Sequence, residues 1–309
     1  MNGSAHWLGA RLPQPFIRLS GALLASGLLA VAMLASPALA RPPLKNNLLA
    51  IGNCPPWNPQ SVEVCKHSLE KVVSALSPRI DAGPDATHLL INEGANATAL
   101  KLKATELANK LGKEDRLVIY ANLPLAPAEE TQQNETTGYA LELWADEKPV
   151  STNEAIAEGT WVSASAFAAM IHTIPAGEVI LILDTNNSHA INMHLLEQHS
   201  VDLKERPEAL ISSAGQGQAA NYSEDRTISL FAKHLAAALD ETEGSLLDVL
   251  TVAASGTRQA AIPICASLKE HNGQAEDKPA DCTQVPEVHD PGDILGRTVL
   301  APLEVTELN

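Results

Sequence analysis

Between Leu48 and Ala214 the chain alternates short, continuous apolar runs with longer stretches whose apolar residues recur at helical spacing, and few folds accept that rhythm. The first run, Leu48 to Asn53, ends in Gly-Asn, as a parallel strand buried on both faces would. Ser61 to Leu76 then places Val62, Cys65, Leu69, Val72, Val73 and Leu76 on one helical stripe. Thr87–Ile91 reads as a second strand, and Thr98–Leu111 as a helix turning Leu100, Thr105, Leu107, Ala108 and Leu111 inward. Asp115–Asn122 is a third strand. Pro127–Thr137 is a polar loop, and Gly138–Trp144 a short strand or hairpin arm. A helix over Ser163–Thr173 leads to Glu178–Asp184, the strongest strand pattern in the chain. Ala209–Ala214 follows as a strand, then helices over Ser229–Leu239 and Ser245–Ala254. Ala261–Ile264 is expected as a last, edge strand, because Pro263 cannot donate to a ladder. Strands separated by helices imply an α/β fold, a mostly parallel sheet of about six strands with helices on both faces. Such sheets bind their ligands beyond the carboxyl ends of the strands. The loops after Asn53, Asn122, Asp184 and Ala214 are therefore the places where function is expected.

The first forty residues set the compartment. Arg11 and Arg18 precede the apolar run Gly21–Leu34, and Ala38-Leu39-Ala40 supplies small residues where a signal peptidase reads. That run is about 14 residues, against about 20 for a bilayer span, so cleavage after Ala40 is expected in place of a retained anchor. The sequence thus predicts a signal peptide over 1–40, a linker over 41–46, a domain over 47–266 and an extension over 267–309. The mature chain is expected to be secreted or periplasmic, with no membrane span. Cleavage removes two of the 21 basic residues and none of the 37 acidic ones, taking the formal charge from −16 to −18. A chain that acidic repels phosphate backbones, so nucleic acid is a poor partner.

All four cysteines, Cys54, Cys65, Cys265 and Cys282, lie beyond residue 40. An even count in an exported chain reads as disulfides, and of the three pairings proximity favours Cys54–Cys65 and Cys265–Cys282. The second would staple Lys269–Asp293, a polar stretch, to the domain, and Thr298–Leu308 would add an edge strand. There is no internal repeat, no paired C-x-x-C spacing for zinc and no glycine-rich phosphate loop, so neither a metal nor a cofactor is expected. His189, His194 and His199 recur every five residues, which turns them roughly 140° apart on a helix and off a common face. Asn96, Asn134, Asn186 and Asn221 head glycosylation-type triplets, relevant only in a eukaryotic secretory pathway.

From Leu48 to Ser267 the order of the pieces resembles the caspase and metacaspase family of cysteine peptidases. Its members open with a strand ending I-G-N, as Ile51-Gly52-Asn53 does, and introduce the second helix with an alanine-threonine pair, here Ala97-Thr98. Asp115–Tyr120 matches the third strand, and Gly138-Tyr139 with Asp146 a following segment. Ser212-Ser213-Ala214 through Gln218 to Leu230-Phe231, and Thr257-Arg258-Gln259 before Ile262-Pro263, match later ones. The resemblance implies a three-layer caspase-like domain.

The departures fall on the chemistry. In the family a histidine in a serine-glycine-histidine-glycine turn after the third strand assists a cysteine in Asp-x-Cys-x-Ser-Gly after the fourth. Here the turn reads Ala121-Asn122-Leu123-Pro124-Leu125, and the other segment Asp184-Thr185-Asn186-Asn187-Ser188-His189. A carboxamide at Asn186 has no nucleophilic atom, and Leu123 or Pro124, depending on a one-residue alignment, cannot accept a proton. No catalytic residue is therefore expected. The resemblance further implies that Asp184 lines a pocket for a basic substrate residue, and that Asn122, Asp184, Ser188 and Ser213 form a peptide-binding groove. The residue standing for a family acid near Cys65 is Ser68. The leading expectation is an inactive peptidase homologue that holds a peptide or a protein, an active relative included. Two alternatives remain at this stage. One is a hydrolase with a displaced group, Ser188 with His189 or a free Cys65; the other is a generic doubly wound domain binding small solutes.

Overall fold

A computed structural model describes residues 44–128, 138–186, 188–189, 191, 206–272 and 282–303. The expected signal peptide, most of the 127–137 loop, His194, His199 and Asn134 lie outside the described residues. Pro43–Asn309 forms one compact unit.

Its centre is a six-stranded sheet in the order β2-β1-β3-β7-β8-β9. These are β1 (Lys45–Gly52), β2 (Thr87–Ile91), β3 (Asp115–Asn122), β7 (Glu178–Asp184), β8 (Glu208–Ser212) and β9 (Glu287–His289). The first five are parallel and β9 runs antiparallel to β8. The middles of the central strands are apolar because both faces are covered, and their polar residues fall toward the strand ends. On one face Leu49, Ile51, Ile119 and Leu181 meet α2 (Ala97–Lys110) and α4 (Ala164–Thr173). On the other Leu48, Ala50, Tyr120 and Ile180 meet α1 (Pro59–Arg79), α5 (Leu230–Glu241) and α6 (Leu246–Asn272). Each fully buried Leu or Ile contributes about 1.5–3 kcal/mol, which is why the strand pattern is so legible. A small antiparallel sheet of β4 (Leu125–Pro127), β5 (Tyr139–Leu141) and β6 (Val162–Ser163) joins the first of these clusters. It includes the expected hairpin arm. Helix α3 (Thr152–Ala157), which the periodicity does not announce, precedes β6.

Helix starts follow local chemistry. Asn96, Ser151, Ser163 and Ser229 accept a hydrogen bond from the third residue on, capping α2, α3, α4 and α5, a contribution of typically about 1 kcal/mol each. Helix α1 begins differently: Pro59 is in its first turn and Asn58 makes no side-chain cap.

Three expectations are corrected. Ala261–Ile264 is not a strand, and Thr257–Gln259 does not enter one; both lie inside α6, which runs unbroken through Pro263. The proline removes one helical hydrogen bond, at a cost of about 3 kcal/mol in a helix interior. Against that stands a continuous buried stripe of Leu246, Val249, Leu250, Ala253, Thr257, Ala261 and Cys265, on one helical face, with Ile262 turned out to solvent. The edge strand comes instead from Glu287–His289, within the stretch expected to be a polar extension, and residues 298–303 form no strand. Thr105 is exposed and Ala104 takes its inward place. The disulfides pair Cys54 with Cys65 and Cys265 with Cys282.

Candidate functional site

Crossovers from β1 lead one way to β2 and the other way, through β2, to β3, so the sheet reverses its order between β1 and β3. A cavity of ≈ 480 Å³ opens at that reversal, beyond the carboxyl ends of β1, β3 and β7. One wall is the connection from β1 to α1, with Cys54, Pro55, Trp57 and Asn58. The floor is Asn122–Pro124 and Asp184–Asn186, and the far wall is Ala219, Ala220 and Tyr222.

Asp184 is the centre of the floor. It ends β7 opposite Asn122 at the end of β3, and it is 2% exposed. Its Oδ2 accepts hydrogen bonds from Tyr120 Oη at 2.9 Å, from Asn122 Nδ2 at 2.8 Å and from Ser229 Oγ. Its Oδ1 is buried with no partner among the described residues. Burial pushes the Asp184 carboxyl above the usual aspartate range, while the hydrogen bonds from Ser229, Tyr120 and Asn122 pull the other way. The Tyr120 phenol is pushed well up, first by burial and then by the neighbouring carboxylate. Glu142 also lines the cavity, and burial raises its carboxyl, opposed by Lys148. Among the described residues these two acids are the ionisable side chains of the lining that carry charge, and no Lys, Arg or His belongs to it.

The scaffold behind Asp184 is a chain of local choices. Ser229 both caps α5 through Ala232 and donates to Asp184. Its own amide is held by Ser68 Oγ at 2.8 Å, so Ser68 ties α1 to the start of α5.

Asn186, Leu123 and Pro124 all line the same cavity. The Asn186 carboxamide is engaged structurally: its Oδ1 accepts from the Ala220 amide at 2.7 Å, pinning the far wall. Leu123 is buried in the apolar core, and the Pro124 carbonyl accepts from the Glu142 amide at 3.0 Å. No atom of these three residues can act as nucleophile or general base.

Ser188 and Ser213, expected in the groove with Asn122 and Asp184, are buried behind it and are not cavity-lining residues. Ser188 Oγ donates to the Ala214 carbonyl at 3.0 Å and accepts from the Ala214 amide at 3.1 Å. Ser213 Oγ accepts from the Thr185 amide at 3.1 Å. His189 turns to Glu287 of β9, its Nδ1 2.5 Å from Oε2. Among the described residues no hydrogen bond joins Ser188 to His189, and the Ser188 hydroxyl is buried against Ala214. Cys65 is bonded to Cys54, which overturns the free-thiol alternative. Among the described residues no cluster of three or more His, Cys, Asp or Glu is placed to hold a metal, and no helix is long and apolar enough to cross a membrane.

Sequence reading missed Tyr120, Glu142, Ser229 and the aromatic rim of Trp57 and Tyr222. Tyr120 had one signal, a phenol within the apolar run Leu117–Ala121. Trp57 packs at 6.5 Å, ring centre to ring centre, from Trp161, an association no spacing predicts.

No protein-family model matches the sequence, and no curated protein shows significant similarity to it. Among solved structures, a protein of Geobacter sulfurreducens superposes over 79% of this chain and 92% of its own, with a TM-score of 0.50 and 13% identity. It shares the fold. Caspase-1 from Spodoptera frugiperda superposes over 80% of this chain and 88% of its own, with a TM-score of 0.44 and 10% identity.

Proposed function

We propose that this protein is an exported, caspase-like peptidase homologue without peptidase activity, and that its cleft holds a peptide or protein segment through a basic side chain. One observation carries the reading. Where the resembled family keeps its nucleophile and base, this cleft has Asn186 and Leu123–Pro124, yet beside them it keeps a buried acid, Asp184, with an unpartnered oxygen. A guanidinium or ammonium group supplies the missing donor and the opposite charge. The two disulfides support a location outside the cytoplasm.

A small-solute domain is the competing reading, and strand order does not separate the two, since the five parallel strands also run in the order of flavodoxin-like sheets. The cleft charge does. Among the described residues the lining has two acids and no cation, which disfavours the phosphate-bearing ligands such sheets usually hold.

The test is a pair of assays on the purified chain. Peptides carrying one central arginine should bind by calorimetry, their glutamate counterparts should not, and neither should be cleaved. Turnover that vanishes in Asn186→Ala or Ser188→Ala would overturn the inactive-enzyme reading; equal affinity for both peptides would overturn the basic-residue reading.

A further inference from the structure

The two disulfides stand in different relations to the cleft. Cys54 and Cys65, 1% and 4% exposed, are as deeply buried as Cys265 and Cys282, 4% and 6% exposed, but they are cleft-lining residues, so the cleft borders this bond. Cys265 and Cys282 do not line it. The walls they serve are also held differently. The near wall hangs between Asn53, anchored to the Asn122 and Glu142 carbonyls at 3.0 and 2.8 Å, and the uncapped start of α1. From Cys54 to Asn58 its only hydrogen bonds among the described residues are internal or to the first turn, Asn58 N to Pro55 O and Ser61 N to Asn58 O. Pro55 and Pro56 have no amide hydrogen to offer. Trp57 packs on the first apolar cluster, 6.5 Å from Trp161, and Pro55 is buried; beyond that packing, the disulfide is what ties this wall to α1.

The far wall is cross-tied several times. Ala220 N is held by Asn186, Asn221 N by Gln284 Oε1 at 2.8 Å, and Asn221 Nδ2 by the Cys282 carbonyl at 3.0 Å. Gln284 Nε2 in turn donates to the Ser213 carbonyl at 3.0 Å.

We propose that Cys54–Cys65 is a reducible latch on the cleft, opened by a small dithiol that enters the cleft, and that its opening releases the wall from Cys54 to Asn58. A thiolate of the dithiol attacks one sulfur and expels the other cysteine as thiolate. The reagent's second thiol then displaces the remaining cysteine and leaves as a cyclic disulfide, having delivered two electrons and two protons. Cys265–Cys282 is a static brace. The consequence for ligand binding rests on the function proposed above; the latch itself does not.

Dithiothreitol titration with alkylation and mass mapping is the direct test, followed by amide exchange. Cys54 and Cys65 should be labelled before Cys265 and Cys282. The Asn58 and Ser61 amides should then exchange at least tenfold faster, with β3 and β7 amides unchanged. Cys54→Ser with Cys65→Ser should show the same exchange pattern without reductant. Reduction of both bonds together, unchanged exchange at Asn58 and Ser61, or loss of protection across β3 and β7 would each overturn the latch. The reduced protein should bind the arginine peptide at least tenfold more weakly. If the oxidised protein does not bind that peptide at all, the proposed function falls, while the exchange data still decide the latch.

Discussion

The two ends of β3 and β7 treat charge in opposite ways. At the amino ends, Arg116 Nε and Nη2 donate to Glu178 Oε2 at 2.9 and 2.7 Å, Arg116 Nη1 reaches Asn46 Oδ1 at 3.2 Å, and Arg297 lies 3.3 Å from Glu178 Oε1. Both oxygens of that buried acid have cationic partners. At the carboxyl ends of the same strands, Asp184 has three neutral donors on one oxygen and none on the other. A buried charge is tolerated when it is paired and costly when it is not. The closed end is therefore built for stability, and the open end stores an unmet demand for a donor that a ligand can supply. Asn53 Oδ1, also buried near the open end, is likewise without a partner among the described residues.

The largest effect expected from this contrast is at the closed end. Glu178→Ala strands a buried guanidinium, and breaking such a pair costs about 3–5 kcal/mol; urea denaturation should show it. A loss under about 1 kcal/mol would mean the amino ends are wetter than the structure has them. Gly177→Ala tests the same end through packing, because a Cβ there would sit 2.2 Å from the Lys113 backbone carbonyl oxygen. Overpacking against backbone costs about 1–3 kcal/mol, readable as a shift in denaturation midpoint.

The smallest effect on stability belongs to the open end. Asp184→Asn keeps an oxygen for Tyr120 and Ser229, so stability near neutral pH should change by less than about 1 kcal/mol or increase. The pH dependence has a definite sign. Because burial raises the Asp184 carboxyl in the folded state, the folded chain holds this proton more tightly than the unfolded one. Stability from this group falls as pH rises from the ordinary aspartate value through the higher folded one, and is fully lost above it. The variant should lack that fall, so its stability relative to the parent should rise across the window. A flat difference would show the carboxyl to be solvated. The same change should weaken the arginine peptide about tenfold, or about 1.4 kcal/mol.

Much of the cleft's position was legible. Asn122, Asp184 and Asn186 were placed at strand ends because apolar runs stop there, and β7 was unmistakable. Ser188 and Ser213 were misjudged for a physical reason. A serine after a strand can face the cleft or turn back to satisfy backbone groups, and here both turn back, to Ala214 and Thr185. Pro263 misled in the opposite direction: its local cost is overridden by a stripe of buried side chains that only α5 and the sheet make worth burying.

The sequence by itself determined the doubly covered, mostly parallel sheet, since the apolar pattern records which backbone is buried on both faces. It also determined that positions 123, 124 and 186 carry neither a thiol nor an imidazole, because residue type is sufficient for that. Only the tertiary structure decided that Tyr120 and Ser229, 64 and 45 residues from Asp184, converge on one of its oxygens and leave the other bare. Hydrogen-bond satisfaction in a buried site is a property of packing geometry, and no local pattern in the chain encodes it.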